Sequence, residues 1–309
     1  MTDSALTLER QSGMGLSRHY RKGLALTAGG TILASFEGLL VRLVGLDSWT
    51  VIFWRGILLG LVMLGFLIVT RKKLQVRSLG LPAVTAIIAF AGSILFFISA
   101  INGTTVANTL VIASAAPLFA ALLGWLFLKE QPTRGTSVAV VVVFAGLAII
   151  FSGSLTGSFI VGDMLALGYA LALAGYCVAL QRCPPDQIPS IVAFGGILSG
   201  LIVWPFASVG IGSGIGTSND LLILLMLGVV IVPAATMLLS SGPQYIPASH
   251  VTLIMMLEIV LGPLWVWMVL SETPSATTVG GGVLVLATIV AHSCHEGMRS
   301  AKPEAGISR

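Results

Sequence analysis

Ten apolar stretches, each close to the length that crosses a lipid bilayer, occupy about two thirds of this chain. A membrane-spanning helix needs about 20 predominantly apolar residues. The chain meets this requirement at residues 24–44, 49–70, 80–100, 105–128, 135–151, 162–181, 190–209, 219–241, 247–270 and 276–294. The connections between them are short. We therefore predict an all-α polytopic membrane protein with ten transmembrane helices and no folded domain between them.

The composition excludes several other classes of protein. Hydrophobic residues make up 56% of the chain and charged residues 9%, whereas soluble domains are about 45 to 50% apolar and about 25% charged. These values exclude a soluble enzyme, a nucleic-acid-binding module and a disordered scaffold. The three cysteines, Cys177, Cys183 and Cys294, are too few for a disulfide framework and lack metal-ligand spacing. We expect no cofactor and no metal.

Basic residues predict the orientation, because cytoplasmic loops near the ends of spans retain Lys and Arg. If the N-terminus is cytoplasmic, 14 of the 16 Lys and Arg residues lie in cytoplasmic segments, and only Arg42 and Arg55 do not. Residues 1–22 contain no apolar run typical of a cleavable signal peptide. We predict a multi-pass protein of the inner (cytoplasmic) membrane, N-in/C-in, with residues 1–22 and 295–309 as cytoplasmic tails.

The two halves of the chain resemble each other at an offset of 140 to 142 residues. In each half a tryptophan is followed five residues later by a Glu-x-Pro motif: Trp125, Glu130 and Pro132, then Trp267, Glu272 and Pro274. Each half also carries a Gly-x-x-x-Gly motif, at Gly56 and Gly60 and again at Gly196 and Gly200. We interpret these glycines as close-packing surfaces for a neighbouring helix.

The repeat divides the chain into five-helix units at residues 23–151 and 162–294. Because five is odd, the second unit enters the membrane with the opposite orientation. We therefore predict two inverted repeats, an arrangement typical of secondary transporters whose halves rock about a site near the midplane.

These motifs resemble those of a known group of proteins. The resemblance rests on Pro117, Trp125, Glu130, Pro132 and Thr133 in the first half, and on Ala248, Glu258, Trp267, Glu272, Pro274 and Ser275 in the second. Over residues 22–294 the chain resembles the EamA-type branch of the drug/metabolite transporter superfamily. The resemblance implies export of small metabolites, often amino acids, including aromatic ones. It also implies a cavity walled mainly by the third, fourth, eighth and ninth helices and their partners. The chain departs from the family pattern at Ile259, where proline often follows the intramembrane glutamate.

Glu37 and Arg55 are ionisable residues at membrane depth, where a charge costs about 2.5 to 3.5 kcal/mol on insertion scales. They lie at similar depth on the first helical hairpin, so we predict that they pair. Arg42 is the alternative partner, but five residues along one helix place it about 140° away from Glu37. The pair is either a static tie between two helices or a charged gate that binds a zwitterion.

Glu258 lies within the ninth span, and its repeat mate is Ala116. A carboxylate needed by both repeats would be expected in both, so we favour substrate or proton handling over a structural hydrogen bond. Burial disfavours its charged form. His250, two turns earlier, shares a broad face with it and has Asn108 as repeat mate. A histidine that only packs is the alternative.

Several polar and aromatic residues complete the list of substrate-binding or gating candidates: Trp54, Ser99, Asn102, Tyr176, Ser241, Gln244 and Tyr245. Their alternatives are anchoring at the lipid interface and helix packing. We interpret Glu130, Pro132, Glu272 and Pro274 as structural, with Thr133 and Ser275 as helix N-caps. The run His292–Glu296 lacks the second histidine of a zinc-protease helix, so it does not predict a metal site.

Together these features predict a secondary-active transporter that works by alternating access and exports small metabolites, most often amino acids. Efflux of cationic drugs, and uptake or exchange of another metabolite such as a nucleoside, stay open as alternatives. A membrane-embedded enzyme is more distant, because no nucleophile, zinc or nucleotide-binding motif is present. The expected partners are a small-molecule substrate and the lipid bilayer, with protons as a candidate coupling ion and no nucleic acid. A monomer is compatible with the sequence.

Overall fold

A computed structural model describes residues 3–70, 80–128, 134–154, 159–208, 216–241, 245–246, 251 and 254–300. Within these ranges the chain is helical and forms no β-strand. The helices are α1 (Asp3–Leu43), α2 (Ser48–Val69), α3 (Leu81–Gly103), α4 (Val106–Ala113), α5 (Ala116–Leu123), α6 (Arg134–Ser154), α7 (Ile160–Leu180), α8 (Ile188–Val203), α9 (Ser218–Leu225), α10 (Val232–Ser241), α11 (Leu257–Leu270) and α12 (Ala276–Ser300).

The ten predicted apolar stretches correspond to ten helical segments of this structure. Seven segments have the length and hydropathy of a membrane span, and three shorter apolar helices lie at Ser137–Gly153, Leu257–Leu270 and Ala276–Ala291. The fourth span combines α4, α5 and a π-helical segment, and the eighth combines α9, another π-helical segment and α10. The predicted all-α polytopic fold is confirmed. The N-in/C-in orientation stays a prediction.

The helices begin where the sequence supplies a capping group. The side chain of Asp47 accepts a hydrogen bond from the Thr50 backbone N–H at the start of α2, 3.0 Å away. Ser275 accepts one of 3.1 Å from the Thr278 backbone N–H at the start of α12. Such caps satisfy backbone donors that have no partner inside the helix. The N-cap predicted at Ser275 is therefore confirmed, whereas Thr133 lies outside the described residues.

Contacts between the halves follow a pseudo-two-fold pattern. The second span packs on the seventh (α2 on α8) and the fifth on the tenth (α6 on α12), so each pairs with its repeat mate. The third span packs on the sixth (α3 on α7), and the first span correspondingly packs on the eighth (α1 on α10). The two inverted repeats are confirmed by this fold class.

The Gly-x-x-x-Gly motifs meet where α2 crosses α8. A Cβ added at Gly56 would lie 2.5 Å from the carbonyl oxygen of Gly196, and one at Gly196 would lie 2.8 Å from the carbonyl oxygen of Gly56. Gly60 and Gly200 make equally close approaches to the opposite helix. The predicted close packing is confirmed, and it brings the two repeats together at their pseudo-symmetry axis.

Candidate functional site

Glu37 of α1 and Arg55 of α2 form the predicted ion pair. One guanidinium nitrogen, Nη2 of Arg55, donates to Oε1 of Glu37. The side chain of Arg55 is 6% exposed and that of Glu37 is 13% exposed. The alternative partner, Arg42, points instead to the second half of the chain. The predicted contact between Glu37 and Arg55 is therefore present. Both interpretations of it, a static link between two helices and a charged gate that binds a zwitterion, stay predictions.

The rest of the Arg55 guanidinium group is unusual. Its Nε and Nη1 atoms are buried and have no hydrogen-bond partner within the described part of the chain. The indole Nε1 of the neighbouring Trp54 is in the same situation. Because a buried polar group without a partner is destabilising, such groups in a native protein are few and call for a cause.

Two further side chains join this pair from the second repeat. Tyr169 of α7 lies within electrostatic range of Glu258, Glu37 and Arg55. Glu258 of α11 lies within electrostatic range of Glu37. Tyr169 and Glu258 are both half-buried rather than fully enclosed. We call Glu37, Arg55, Tyr169 and Glu258 the central charged cluster.

Tyr169 is the member of this cluster that sequence reasoning missed. It lies seven residues before Tyr176, which places both rings on one face of α7. Their partners on α3 are spaced alike: Phe97 contacts Tyr169 with a centroid distance of 4.8 Å, and Phe90 contacts Tyr176 at 5.0 Å. The seven-residue spacing of tyrosines was the pattern that could have revealed it. Tyr176 itself packs with Phe90 among apolar residues.

An aromatic pair links α1 and α11, the helices that carry Glu37 and Glu258. Phe36, the neighbour of Glu37, stacks on Trp265 of α11 with a centroid distance of 4.8 Å and an interplanar angle of 14°. The Trp265 indole N–H donates to the Ser35 hydroxyl over 3.0 Å. The cluster is therefore built by the first, second, sixth and ninth spans. Of these, the ninth is one of the four cavity-forming helices that the family resemblance names, and the first and sixth spans pack on two others, the eighth and the third.

One end of the helical bundle is held by a polar network. Arg42 forms an ion pair of 3.2 Å with Glu272 and donates a hydrogen bond of 2.7 Å to the carbonyl oxygen of Thr104. Glu272 also accepts a hydrogen bond of 3.0 Å from the Val106 backbone N–H, at the start of α4. Glu272 thus links α1 and α4 to the loop before α12, and Pro274 lies half-buried in the same loop.

A second part of this network surrounds Asp163, which is fully buried at the start of α7. Its Oδ1 atom accepts hydrogen bonds of 2.6 Å from the Thr104 hydroxyl and 3.0 Å from the Asn108 amide. Asn108 in turn accepts a hydrogen bond from the Thr278 hydroxyl. We call Arg42, Thr104, Asn108, Asp163, Glu272 and Thr278 the closure network. Under the predicted orientation it lies at the outer end.

The closure network contains one predicted site residue, Asn108, and one acid that sequence reasoning missed, Asp163. The sequence does mark Asp163, since it is an acid near the start of an apolar stretch without a nearby basic residue.

Other predicted site residues lie at helix ends, away from the central charged cluster. Asn102 is exposed and donates to the Ser48 hydroxyl over 2.8 Å. Ser99 lies one turn earlier on α3 and is half-buried. At the opposite end, Ser241 donates to the carbonyl oxygen of Met237 in its own helix, and Tyr245 accepts a hydrogen bond of 3.2 Å from Lys22. Gln244, His250, Glu130 and Pro132 lie outside the described residues, as do the side chains of His292–Glu296.

Two five-helix repeats of opposite orientation, enclosing ionisable side chains from both halves, define a polytopic membrane transporter. A sequence profile of the EamA-like transporter family matches residues 21–152 and 160–293. The chain belongs to this family, within the drug/metabolite transporter superfamily.

Individual relatives are more distant. The chain is 29% identical over 184 residues to the "Uncharacterized transporter YwfM" of Bacillus subtilis (strain 168), which covers 58% of this chain and 62% of that protein. The chain thus spans less than two thirds of YwfM. It is 26% identical over 199 residues to the "Pseudopaline exporter CntI" of Pseudomonas aeruginosa (strain UCBPP-PA14), covering 63% of this chain and 68% of that protein.

A solved crystal structure shares the fold. It superposes with a TM-score of 0.63 at 17% sequence identity, and the match covers 91% of this chain and 99% of the other.

Proposed function

We propose that this protein is a secondary-active exporter of small metabolites, with amino acids as its substrate class. The observation that carries the proposal is the central charged cluster. It gathers Glu37, Arg55 and Glu258 within membrane spans, where each charge is costly and needs a functional or structural partner. Residues from both repeats form it, as expected for a site about which the halves move.

Alternating access is supported by the architecture. Inverted repeats give one chain two packings of similar energy, one open to each side of the membrane. The closure network ties α1, α4, α7 and α12 together at one end of the bundle. We propose that this end is extracytoplasmic and that the protein resides in the inner membrane with both termini in the cytoplasm, because 14 of 16 basic residues then face the cytoplasm.

The direction and coupling of transport are part of the proposal. One relative is named an exporter, which supports export. Glu258 forms no ion pair with a basic residue in the part of the chain that the structure describes, and it lies within electrostatic range of a second carboxylate, Glu37. Two nearby carboxylates favour uptake of a proton by one of them. We propose that Glu258 takes up and releases one proton in each cycle, so that a proton crosses the membrane in exchange for the substrate.

Efflux of cationic drugs is the second candidate. Glu37 and Glu258 supply negative charge, and Tyr169 supplies an aromatic ring in the same cluster. Aromatic faces and carboxylates together bind organic cations. The two candidates differ in whether the substrate needs a carboxylate group of its own.

Counterflow in liposomes tests the proposed function. Purified full-length protein is reconstituted with an unlabelled L-amino acid inside, and uptake of the same radiolabelled amino acid is followed across a panel. Saturable counterflow of at least one amino acid supports the proposal. Flux that does not saturate indicates a channel, chemical conversion of the substrate indicates an enzyme, and saturable exchange of cationic dyes alone supports drug efflux.

Glu258→Gln tests proton coupling. We expect this variant to keep saturable amino-acid counterflow with a raised KM and to lose acceleration by an imposed pH gradient, because glutamine carries neither a negative charge nor an exchangeable carboxyl proton. Ser240→Ala is the matched control, since this exposed hydroxyl donates to the carbonyl oxygen of Thr236 in its own helix and has no other partner among the described residues. Wild-type transport that is indifferent to the pH gradient would remove proton coupling from the proposal.

A further inference from the structure

The Arg55 guanidinium group has more donors than the described residues use. A guanidinium group carries five N–H donors, two of them on Nη2. Glu37 contacts Nη2 through a single oxygen. Nε and Nη1 are buried and have no hydrogen-bond partner among the residues that the structure describes. Because each of them shares one side of the group with Nη2, one complete pair of parallel N–H donors remains for another acceptor.

Parallel N–H donors of this kind match one chemical group closely. A carboxylate presents two oxygens in the same plane and binds a guanidinium group through two parallel hydrogen bonds, which adds geometric selectivity to charge attraction. Glu258 does not fill this position, since it forms no ion pair with Arg55 in the described structure. The Arg55 side chain is 6% exposed, so bulk water has little access to accept hydrogen bonds from it.

The charge of the cluster restricts which class of carboxylate ligand can bind. Glu37 and Glu258 together carry two negative charges when ionised, against one positive charge on Arg55. A ligand that carries only a negative charge would add repulsion to these two carboxylates. A ligand with a carboxylate at one end and an ammonium group at the other leaves the total charge unchanged. Its ammonium group would face Glu258. Phe36, which precedes Glu37 in α1, stacks on Trp265 of α11, so an apolar pair lies between the helices that carry Glu37 and Glu258.

We propose that the free side of the Arg55 guanidinium group is the carboxylate subsite of the transporter, and that its substrates are small zwitterions. This inference rests on the proposed function and specifies its recognition chemistry. Glu37 is a positioning residue: it holds Arg55 through one N–H of Nη2 and leaves the other N–H of Nη2, together with its neighbour on Nε or Nη1, directed to the substrate. Glu258 faces the ammonium end, so its protonation weakens binding there and favours release.

A competition series in wild-type liposomes tests the subsite without any mutation. The probe is the radiolabelled L-amino acid with the highest counterflow, and the competitors are that amino acid, its methyl ester and its decarboxylated amine. We expect the ester and the amine to compete at least tenfold more weakly than the amino acid. A site built to hydrogen-bond a substrate group rejects analogues that lack this group, because its own buried polar atoms are then left unpaired. Equal competition by the amine would overturn the carboxylate subsite while leaving amino-acid transport established.

Arg55→Lys provides the second measurement. Lysine keeps the positive charge that pairs with Glu37 but lacks the planar pair of donors. We expect KM to rise at least tenfold while kcat and folded yield change little, with Ser240→Ala as the unchanged control. An unaltered preference for the amino acid over its ester in Arg55→Lys would overturn the assignment. If this variant does not fold, the wild-type competition series decides alone. Absence of counterflow for every amino acid overturns the proposed function itself, and this inference with it.

Discussion

Arg42, in the last turn of α1, forms an ion pair of 3.2 Å with Glu272 in the loop before α12, which belongs to the other repeat. The repeat offset assigns each residue a mate: Arg182 corresponds to Arg42, and Glu130 corresponds to Glu272. Arg182 is exposed and forms no ion pair with the described residues. Glu130 lies outside them. The pair at one end thus has a sequence counterpart at the opposite end, and we expect the two pairs to form in alternation.

Arg42→Gln is expected to favour opening at the closure network. The two side chains are 24% and 23% exposed, so the pair is worth at most about 1 kcal/mol, which shifts an equilibrium about fivefold. A cysteine introduced at Leu40, half-buried between Arg42 and Glu37 on α1, reports this opening through its labelling by an impermeant maleimide. The native cysteines are first replaced by serine. Labelling no faster than in the parent protein would contradict a role in closure.

Gly56→Ala is expected to disrupt the contact between the repeats. Its added Cβ would lie 2.5 Å from the carbonyl oxygen of Gly196, and backbone at such a contact cannot move aside alone. Overpacking of this kind costs about 1 to 3 kcal/mol. Thermal unfolding in detergent measures the loss. Gly65→Ala on the same helix is the matched control, because an added Cβ there meets nothing within 4 Å. Equal stability of the two variants would refute the close-packing interpretation.

Asp163→Asn is expected to destabilise the fold rather than alter the substrate preference. The carboxylate is fully buried and accepts hydrogen bonds from Thr104 and Asn108. An amide brings its own donors to these groups, and a buried donor without an acceptor costs about 1 to 3 kcal/mol. Unfolding temperature and competition by amino-acid analogues are measured together. A normal unfolding temperature with a changed substrate preference would place Asp163 in the binding site instead.

Cys183 reports both orientation and local environment. Burial raises the pKa of its thiol, and the thiol donates to the carbonyl oxygen of Ala179 over 3.3 Å. Because maleimides react with the thiolate, labelling should be slow near neutral pH and accelerate up to pH values above the usual range for thiols. In a Cys177→Ser, Cys294→Ser background, we expect labelling by an impermeant reagent in inside-out vesicles. Labelling in right-side-out vesicles instead would reverse the proposed orientation.

Much of the architecture is predictable from the chain. The ten apolar stretches and the offset of 140 to 142 residues predict the helices and their division into two units. The Glu37–Arg55 pair is predictable too, because both residues lie on one short hairpin and their depths follow from distance to the turn. The glycine motifs indicate that a helix packs closely on another, although only the structure identifies α8 as the partner of α2.

The members of the site that come from different repeats were harder to predict. Tyr169 and Glu258 come within electrostatic range of Glu37 only because α11 packs on α1 and α7 packs on α3. Glu272, interpreted from the sequence as part of a structural motif, contacts Arg42 across the repeats. Sequence spacing carries no information on such contacts between distant helices.

The sequence by itself determined how many helices cross the membrane and how they divide into repeats, because span length and charge cost depend on local composition. Only the tertiary structure decided which polar side chains meet. In a bilayer the faces of apolar helices are nearly equal in hydrophobicity, so lateral packing depends on small residues and interhelical hydrogen bonds rather than on hydropathy. The unused donors of Arg55 follow from that packing, since it brings Glu37 to one nitrogen of the group and leaves two others without a partner among the residues with a described position.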